Sequence, residues 1–195
     1  MKQCISVDLL QHIDPDAVKV INRLQQHGYV AYLVGGCIRD ILLQKKPKDF
    51  DVVTSAKPNE VEHLFRNSRI IGKRFQLHHI YFPNRKIIEV STFRSTRRDH
   101  DNIQGEMLIQ RQNVFGTEEE DALSRDFSVN ALYYDIKSKE IIDYVNGYED
   151  CKNNLLRTIG DTYTRFREDP VRMLRALRFK SALDMEVDTA IEQNM

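Results

Sequence analysis

The feature that most constrains the fold is an apolar run that ends at a pair of glycines and precedes two closely spaced aspartates. Residues 29–34 are apolar or aromatic, Gly35 and Gly36 follow, and Asp49 and Asp51 stand two positions apart in a second β-prone run. A short amphipathic segment lies between the glycines and the aspartates. This pattern predicts a strand, a glycine turn, a short helix and a second strand.

The two aspartates define the candidate chemistry of this unit. Side chains two positions apart project from the same face of a strand, so Asp49 and Asp51 are expected to lie side by side. Phe50 and Val52 then turn toward the core. Two unpaired carboxylates repel each other unless a cation lies between them, and Mg²⁺ is commonly held by one or two carboxylates together with substrate phosphates. The pair predicts a metal site that acts on a phosphoryl donor, although a single such pair is more often a solvated strand face.

The glycine pair supplies the other half of the candidate site. Glycines after a strand let backbone N–H groups approach an anion closely, and a helix beginning at Cys37 adds the positive end of its dipole. Arg39 lies one turn into that helix, where it can reach a phosphate or a sugar. A tight turn without a ligand is the alternative. Because the aspartates follow at this spacing, we interpret Gly35, Gly36 and Arg39 as a triphosphate-binding element.

Four segments resemble one known family. They are LVGGCIRD (33–40), KDFDVVTS (48–55), SRDFSVNALYYD (124–135) and FREDPVRMLRALRF (166–179), in the order that the family shows. The sequence resembles the polymerase β-type nucleotidyltransferases, in the branch of bacterial tRNA nucleotidyltransferases and poly(A) polymerases. This resemblance implies an α+β fold, with a polymerase β-like head whose mixed sheet is flanked by helices and with the start of an all-helical neck after it.

The resemblance also implies a division of the chain. Residues 1–28 are expected to form an N-terminal helical segment, residues 29–160 the catalytic head and residues 161–195 the start of the neck. The family continues into neck, body and tail domains that hold RNA, so the chain is expected to be a truncated head or to need a partner. Residues 1–13 carry no clear pattern.

Local signals predict individual elements of the head. A helix should begin at Asp14, which precedes a proline, and end at Gly28. Residues 77–82 and 86–93 read as two strands joined by a Pro-Asn-Arg turn. Since a hairpin is antiparallel, the sheet is expected to be mixed. Thr117 caps a helix whose acidic first turn complements the helix dipole.

The second strand of this hairpin carries a candidate third carboxylate, Glu89. It either faces Asp49 and Asp51 or is a surface residue on an edge strand. His78 and His79 face opposite ways as neighbours in a strand, so they are expected to serve in packing or RNA contact and not to share a metal ion.

Residues 94–112 are polar and without a period, which is typical of a surface loop. Arg94, Arg97 and Arg98 are its candidate RNA or phosphate contacts, with a solvated loop as the alternative. Lys plus Arg and Asp plus Glu both number 29, so the chain has no net charge and no large basic RNA platform is expected. Its three cysteines lack a CxxC pattern and read as reduced thiols, and with no signal peptide visible a cytoplasmic protein is expected.

In the resembled family, Arg125 and Asp126 belong to a motif that contacts the nucleotide's sugar and phosphates, and the aspartate is counted among the catalytic carboxylates. The sequence has Ser124 where the family commonly has a first arginine, so one phosphate or ribose contact is expected to be missing. From the residues alone, an ion pair that joins two segments is the alternative role for Asp126.

The last helix is a candidate base-reading element. Asp169 and a proline begin it, and Arg172, Arg175 and Arg178 recur every three residues to form a stripe beside an apolar one. An aspartate accepts hydrogen bonds and an arginine donates them, so the pair Asp169–Arg172 matches adenine or cytosine and opposes guanine or uracil. In the resembled family, Glu168, Asp169 and Arg172 read the base and Arg175 lies at the nucleotide. A helix cap with solvated arginines is the structural alternative.

These features predict template-independent addition of AMP from ATP to RNA 3′ ends. Two Mg²⁺ ions are expected at Asp49 and Asp51, with Asp126 or Glu89 as the third carboxylate. Within the branch, KPKDFDV, GKRFQLHHIYF, the loop after Phe93 and REDPVRMLRA resemble poly(A) polymerases more than CCA-adding enzymes. A CCA-adding enzyme is the first alternative. A non-catalytic nucleotide- or RNA-binding module is the second, although it has no need for repelling carboxylates.

Overall fold

The computed structural model describes residues 2–72, 76–95 and 115–195. Within these ranges, eight strands form one sheet and two further short strands pair with each other. The strands are β1 (Gln3–Ser6), β2 (Ala31–Val34), β3 (Asp51–Thr54), β4 (Ser68–Ile71), β5 (Leu77–Tyr81), β6 (Ile87–Thr92), β7 (Leu132–Asp135), β8 (Glu140–Asp143), β9 (Leu155–Leu156) and β10 (Glu186–Val187).

The sheet is mixed, as predicted. Its strand order is β1-β8-β7-β2-β3-β6-β5-β4. The central strands β3 and β6 pair in parallel, whereas all other neighbouring strands of this sheet pair antiparallel. The predicted hairpin of β5 and β6 is present and turns through a short 3-10 segment at Pro83–Arg85. The combination of this sheet with flanking helices confirms the α+β prediction.

Eight α-helices occur in the described residues. They are α1 (Pro15–Gln26), α2 (Gly36–Leu42), α3 (Pro58–Leu64), α4 (Glu118–Ser124), α5 (Gly147–Lys152), α6 (Thr162–Glu168), α7 (Val171–Leu183) and α8 (Thr189–Gln193). No helix of the described ranges combines the length and apolar character that crossing a lipid bilayer requires.

Helix α1 shows how the local signals operate. The side chain of Asp14 accepts a hydrogen bond from the amide of Asp16, and Pro15 occupies the first turn, where no intrahelical acceptor is lost. Gly28 ends the helical region with φ +85°, a conformation that suits glycine. The predicted bounds of this helix are therefore confirmed.

The core lies on both faces of the sheet. On one face, Val20 and Leu24 of α1 pack with Val52 and Val90 of the central strands, and all four are buried. Each buried side chain of this size contributes about 1.5–3 kcal/mol to folding. On the other face, Val34 and its neighbours form a second cluster with aromatic residues. Asp51 is two positions before Val53 of this cluster and pairs with Val34, so the candidate site lies on this second face.

The first strand was not predicted. Residues 1–13 show no alternation, yet β1 pairs antiparallel with β8 at the edge of the sheet, and Gln3 lies opposite Asp143. Most of β1 is exposed, so few of its side chains needed to be apolar. Only backbone pairing with β8 makes this segment a strand.

The apolar stripe predicted on the last helix faces outward. Val171, Leu174 and Leu177 of α7 are 56%, 67% and 50% exposed, whereas Ala176 and Phe179 are the residues that α7 buries. Phe179 packs edge-on against Phe127, with the ring centroids 5.6 Å apart. The pattern predicted a helix correctly but did not show which face it buries, because the contact of Phe179 with Phe127 joins residues far apart in the sequence.

His78 is a buried polar side chain of β5. It is 1% exposed, and neither ring nitrogen has a hydrogen-bond partner among the described residues. Burial lowers the pKa of His78 below its usual 6.5, so the folded state binds the proton less well than the unfolded chain does. The folded state is therefore destabilised as the pH falls below about 6.5, because the unfolded chain binds this proton more readily.

Replacing His78 by leucine is expected to stabilise the protein by about 1 kcal/mol, because an unsatisfied polar group leaves the core. Thermal unfolding followed by circular dichroism should show a melting temperature about 3 °C higher. The gain should be larger at pH 5 than at pH 7.5. His63→Leu, at an exposed position of α3, is the matched control and should bring no such gain. A lower melting temperature for His78→Leu at both pH values would contradict this account.

Candidate active site

The candidate site begins at Gly35, between β2 and α2. Gly35 has φ +80° and ψ −136°, which side-chain-bearing residues rarely adopt. A Cβ atom placed there would lie 4.0 Å from Asp51 Oδ2 and 3.7 Å from Arg125 Nη1. The turn therefore brings the backbone of the glycine pair close to an acidic and a basic side chain from two distant motifs. Helix α2 starts at Gly36, one residue earlier than predicted.

Of the two predicted aspartates, only Asp51 lies in a strand. It is the first residue of β3 and pairs with Val34 of β2 and with Glu89 of β6. Asp49 is exposed and precedes the strand, so the prediction that both carboxylates share one strand face is wrong for Asp49. The physical reason is that β2 ends at Val34, where the chain turns into α2, so β3 has no antiparallel partner beyond Asp51.

Asp51 lies in an environment that disfavours its ionised form. Its pKa is raised from 3.8 to about 6, first by burial and then by the negative charges of Glu89 and Asp49, against the opposing charge of Arg125. The protein thus holds a carboxylate whose charge its own residues do not neutralise. Such a position is typical of a functional site, where a ligand supplies the missing countercharge.

The two candidates for the third carboxylate have different surroundings. Glu89 is directly beside Asp51 in the parallel ladder, and its Oε1 lies 3.1 Å from His79 Nε2. Asp126 Oδ2 accepts a hydrogen bond from Arg175 Nε at 2.6 Å, and its Oδ1 accepts one from a backbone amide. Asp126 thus forms the ion pair that was its alternative role, and Glu89 is the carboxylate that faces Asp51.

Arg39 is more enclosed than its position in the sequence indicates. It is 7% exposed, and its guanidinium contacts Asp40 Oδ1 at 2.7 Å and Asn130 Oδ1 at 2.5 Å. Its Cζ also lies 5.1 Å from the ring centroid of Phe179 on α7. The side chain Nδ2 of Asn130 donates to Asp126 Oδ1 at 3.4 Å. Arg39 therefore joins the glycine turn to α7 and, through Asn130, to Asp126.

Arg125 is held by a buried carboxylate that sequence reasoning overlooked. Asp121, with a fully buried side chain, accepts from Arg125 Nη2 at 2.8 Å and from Tyr133 Oη at 2.8 Å. Its other oxygen accepts from Arg94 Nε at 3.2 Å. Burial alone would raise the pKa of Asp121, but the charges of Arg125 and Arg94 outweigh it and lower the pKa. These contacts fix the Arg125 guanidinium beside Gly35.

The base-reading candidates lie at the junction of α6 and α7. Arg172 Nη1 donates to the carbonyl of Arg165 at 2.8 Å and to Glu168 Oε2 at 3.2 Å. Asp169 ends α6 and accepts a hydrogen bond from the amide of Val171, as a cap would. Helix α6 was not predicted. Its Arg165 donates to the carbonyl of Arg125 at 2.5 Å, which ties this helical pair to the head.

Two other predictions concern cysteines and the polar loop. Cys37 is buried, and burial raises the pKa of its thiol to about 12, so this cysteine is a packing residue and not a reactive thiol. Arg97 and Arg98 lie outside the described residues. Arg94, the remaining arginine of that group, is bound to Asp121. Arg94 therefore forms an ion pair inside the head.

Three residues of the site escaped sequence reasoning. Asp121 was interpreted only as part of an acidic first turn, although its spacing of four from Arg125 is a usable ion-pair signal. Asn130 and Phe179 show no such signal, because their partners are distant in sequence. The contacts of these two residues with Arg39 exist only in the folded head with α7 packed against it.

The donor set of the site fits Mg²⁺. Asp51, Glu89 and Asp49 offer oxygen ligands, and the raised pKa of Asp51 reports unbalanced negative charge. Within the described ranges, no three or more His, Cys, Asp and Glu side chains are close enough to hold a metal by themselves. The fit is therefore to an ion whose coordination is completed by water and substrate phosphates, the usual manner for Mg²⁺.

Comparison with known proteins finds relatives that cover most of this chain. The sequence model of the poly A polymerase head domain matches residues 31–157. The chain is 50% identical over 184 residues to poly(A) polymerase I of Haemophilus influenzae. This alignment covers 91% of the chain and 40% of that protein. It is 50% identical over 182 residues to the poly(A) polymerase I of Salmonella typhi, covering 90% and 39%.

A second group of relatives consists of CCA-adding enzymes. The chain is 38% identical over 189 residues to a CCA-adding enzyme of Lactobacillus helveticus, covering 97% of this chain and 46% of that protein. Among solved structures, the Bacillus stearothermophilus CCA-adding enzyme in complex with CTP aligns with a TM-score of 0.80 and 34% identity, over 93% of this chain and 43% of that one. The chain thus spans less than half the length of these relatives.

Proposed function

Because the chain belongs to the family of poly(A) polymerase head domains, we propose that it carries the active site for template-independent addition of AMP from ATP to RNA 3′ ends. The observation that carries this proposal is the position of Asp51. Its poorly neutralised carboxylate lies beside Glu89 and against the glycine turn that an anionic nucleotide would use. The chain spans about two fifths of its poly(A) polymerase relatives, so the proposal concerns the head of such an enzyme.

In the proposed reaction, the RNA 3′ oxygen bonds to the α-phosphorus of ATP while the bond to the β-phosphate oxygen breaks. Pyrophosphate leaves with that oxygen, and the 3′ hydroxyl gives up its proton. Two Mg²⁺ ions would be held by Asp51 and Asp49, with Glu89 as third carboxylate, and would promote loss of that proton and balance charge on the pyrophosphate. The chain's own residues orient the two reactants.

The triphosphate would lie at the glycine turn. Gly35 and Gly36 leave room for the phosphates close to the backbone, and the amides of Gly36 and Cys37 precede that of Ile38, which donates to the carbonyl of Gly35. Arg125 is held by Asp121 with its Nη1 aimed toward Gly35, and Arg39 lies one turn into α2. Two preset guanidinium groups would stabilise the charge that builds up on the transferred phosphate.

The base would be read by Asp169 and Arg172. Glu168 holds Arg172 in place through its carboxylate, so Glu168 acts on the base through Arg172. Arg175 is bound to Asp126 and lies 5.8 Å from the Phe179 ring, which places it on the side of α7 that faces the head. An acceptor next to a donor favours adenine and cytosine over guanine and uracil. We assign residues 161–195 to the start of a helical neck on this basis.

A second candidate is CCA addition to tRNA. It is favoured by the alignment with the CCA-adding enzyme in complex with CTP, which extends over 93% of this chain. The base-reading pair alone does not separate ATP from CTP. We prefer polyadenylation because the identity to poly(A) polymerase I is 50%, against 38% for a CCA-adding enzyme.

The unpaired thiols Cys4, Cys37 and Cys151 fit action in the reducing cytoplasm.

The test is extension of a labelled RNA 3′ end with Mg²⁺ and each nucleoside triphosphate supplied separately. Long tails with ATP alone are the expected result, and the double variant Asp49→Ala, Asp51→Ala should form none. Addition that requires CTP before ATP on tRNA lacking its CCA end would establish the second candidate. ATP binding without extension of any RNA would overturn the proposal and favour a binding module.

A further inference from the structure

The row of side chains that begins at Asp51 continues beyond Glu89 across two more strands. In the sheet register, Asp51 lies beside Glu89, Glu89 beside His79 and His79 beside Arg69. Tyr81 is two positions after His79 and therefore shares its face. We propose that Arg69, His79 and Tyr81 form the site for the 3′-terminal nucleotides of the RNA, an inference that rests on the nucleotidyl transfer proposed above.

This surface is open to a ligand. Tyr81 is 37% exposed, Ile87 beside it is 39% exposed, and Arg69 is exposed at the outer strand β4. Helices α1 and α3 make the main helix contacts with β4, β5 and β6, and their buried residues pack with the opposite face of the sheet. An apolar and aromatic surface beside a cation thus remains accessible next to the carboxylates.

The direction of the reaction places the RNA on this side. Phosphoryl transfer proceeds with the attacking and leaving oxygens roughly in line. The glycine turn, at the end of β2, would hold the leaving pyrophosphate on one side of Asp51. The attacking 3′ oxygen must then approach from the other side, which in the sheet is the side of β6, β5 and β4. Glu89, His79 and Arg69 occupy that side in this order.

The three side chains match the chemistry of a single-stranded RNA end. Arg69 is exposed, and its guanidinium has no ion-pair partner in the part of the chain that the structure describes, which leaves it available to a phosphate. Tyr81 presents a ring on which a base of any sequence can stack. The ring of His79 meets that of Tyr81 edge to face, with centroids 6.4 Å apart, while its Nε2 contacts Glu89. His79 therefore holds Tyr81 and the carboxylate in a fixed relation.

The first experiment locates the RNA end directly. An oligoribonucleotide with a photoactivatable thiouridine as its last residue is irradiated with the full chain, and the crosslinked peptide is identified by mass spectrometry. Crosslinks are expected in β4 or β5, at or next to Arg69, His79 or Tyr81. The same label placed at the 5′ end should not reach these peptides. Crosslinks from the 3′ label that map elsewhere, or none at saturating RNA, would overturn the proposal.

The second experiment measures equilibrium binding of RNA and of ATP. Tyr81→Ala should weaken RNA binding about tenfold through loss of base stacking. Arg69→Gln should weaken it and reduce the salt dependence by about one phosphate contact. Tyr163→Ala and Arg66→Gln, at exposed positions outside β4 and β5, are matched controls and should change neither the RNA affinity nor its salt dependence. ATP affinity should stay unchanged in all four variants.

The outcomes separate this inference from the function on which it rests. Correct crosslinks with no extension of RNA would remove the proposed activity and leave the RNA site in place. Extension of RNA with equal affinities for Tyr81→Ala and Tyr163→Ala would remove the RNA site and leave the activity. Loss of ATP binding in Tyr81→Ala would also contradict the proposal, since it would show that the whole site had been disturbed.

Discussion

Replacing Asp51 by asparagine is expected to abolish nucleotidyl transfer and at the same time to stabilise the metal-free protein. The loss of activity should be on the order of 10³-fold or more, because the variant removes a charged ligand from the reacting centre. The gain in stability follows from the raised pKa. Holding this carboxylate ionised at neutral pH costs about 3 kcal/mol when its pKa is about 6 instead of 3.8.

The sign of this effect sets its pH dependence. The folded state binds the Asp51 proton more tightly than the unfolded chain, so the wild type gains stability from this residue as the pH falls from about 7 toward 4. An asparagine side chain at this position would not titrate. The difference in melting temperature between Asp51→Asn and wild type should therefore be about 9 °C at pH 8 and should become small near pH 4.

Mg²⁺ provides a further readout. Addition of Mg²⁺ with ATP should raise the melting temperature of the wild type more than that of Asp51→Asn, since only the wild type offers this carboxylate. Asp8→Asn is the control, because Asp8 is exposed and bound to Lys139 far from the site, and should retain activity with little change in melting temperature. An Asp51→Asn variant that transfers nucleotides, or that unfolds below wild type at pH 8, would refute the assignment.

Replacing Asp121 by asparagine is expected to have the largest effect on folding. Asp121 is fully buried and pairs with Arg94 and with Arg125, whose side chain is only 11% exposed, so its loss removes the countercharge of the enclosed Arg125. Breaking such a pair from one side costs about 3–5 kcal/mol. Differential scanning calorimetry should show a melting temperature about 10 °C lower. The affinity for ATP should also fall, because Arg125 loses the contacts that orient it toward Gly35.

Glu119→Gln tests whether the effect of Asp121→Asn arises from loss of a negative charge in the first turn of α4. Glu119 lies two residues earlier in the same first turn of α4, is exposed, and undergoes the same chemical change. A small change in melting temperature is expected there, since a surface acid at a helix start contributes only a few tenths of a kcal/mol to about 1 kcal/mol. Equal effects of both substitutions would show that Asp121 acts through the helix dipole and not through its arginines.

Elements with local causes were predictable. The helix after Asp14, the hairpin of β5 and β6 and the capped start of α4 each follow from a turn, a cap or a period that is written in neighbouring residues. The turn at Gly35 belongs with them, because its positive φ requires a residue without a side chain.

Elements that depend on residues far away in the sequence were not predictable. Strand β1 exists because its backbone meets β8, and Asp49 lies outside β3 because β2 ends at Val34. Helix α7 buries Ala176 and Phe179 and exposes its leucines, since the surface of the head selects the face that fits. None of these outcomes has a signal in the residues that show it.

The sequence by itself determined which residue types are available for the chemistry and, through glycines, caps and periods, most local elements that carry them. Tertiary structure decided which of these residues meet. It placed Glu89 beside Asp51, bound Asp126 to Arg175 and used Asp121 to hold Arg125. The physical reason is that register, burial and ion pairing depend on groups far apart in the chain, whose proximity exists only after the sheet and the last helices have packed.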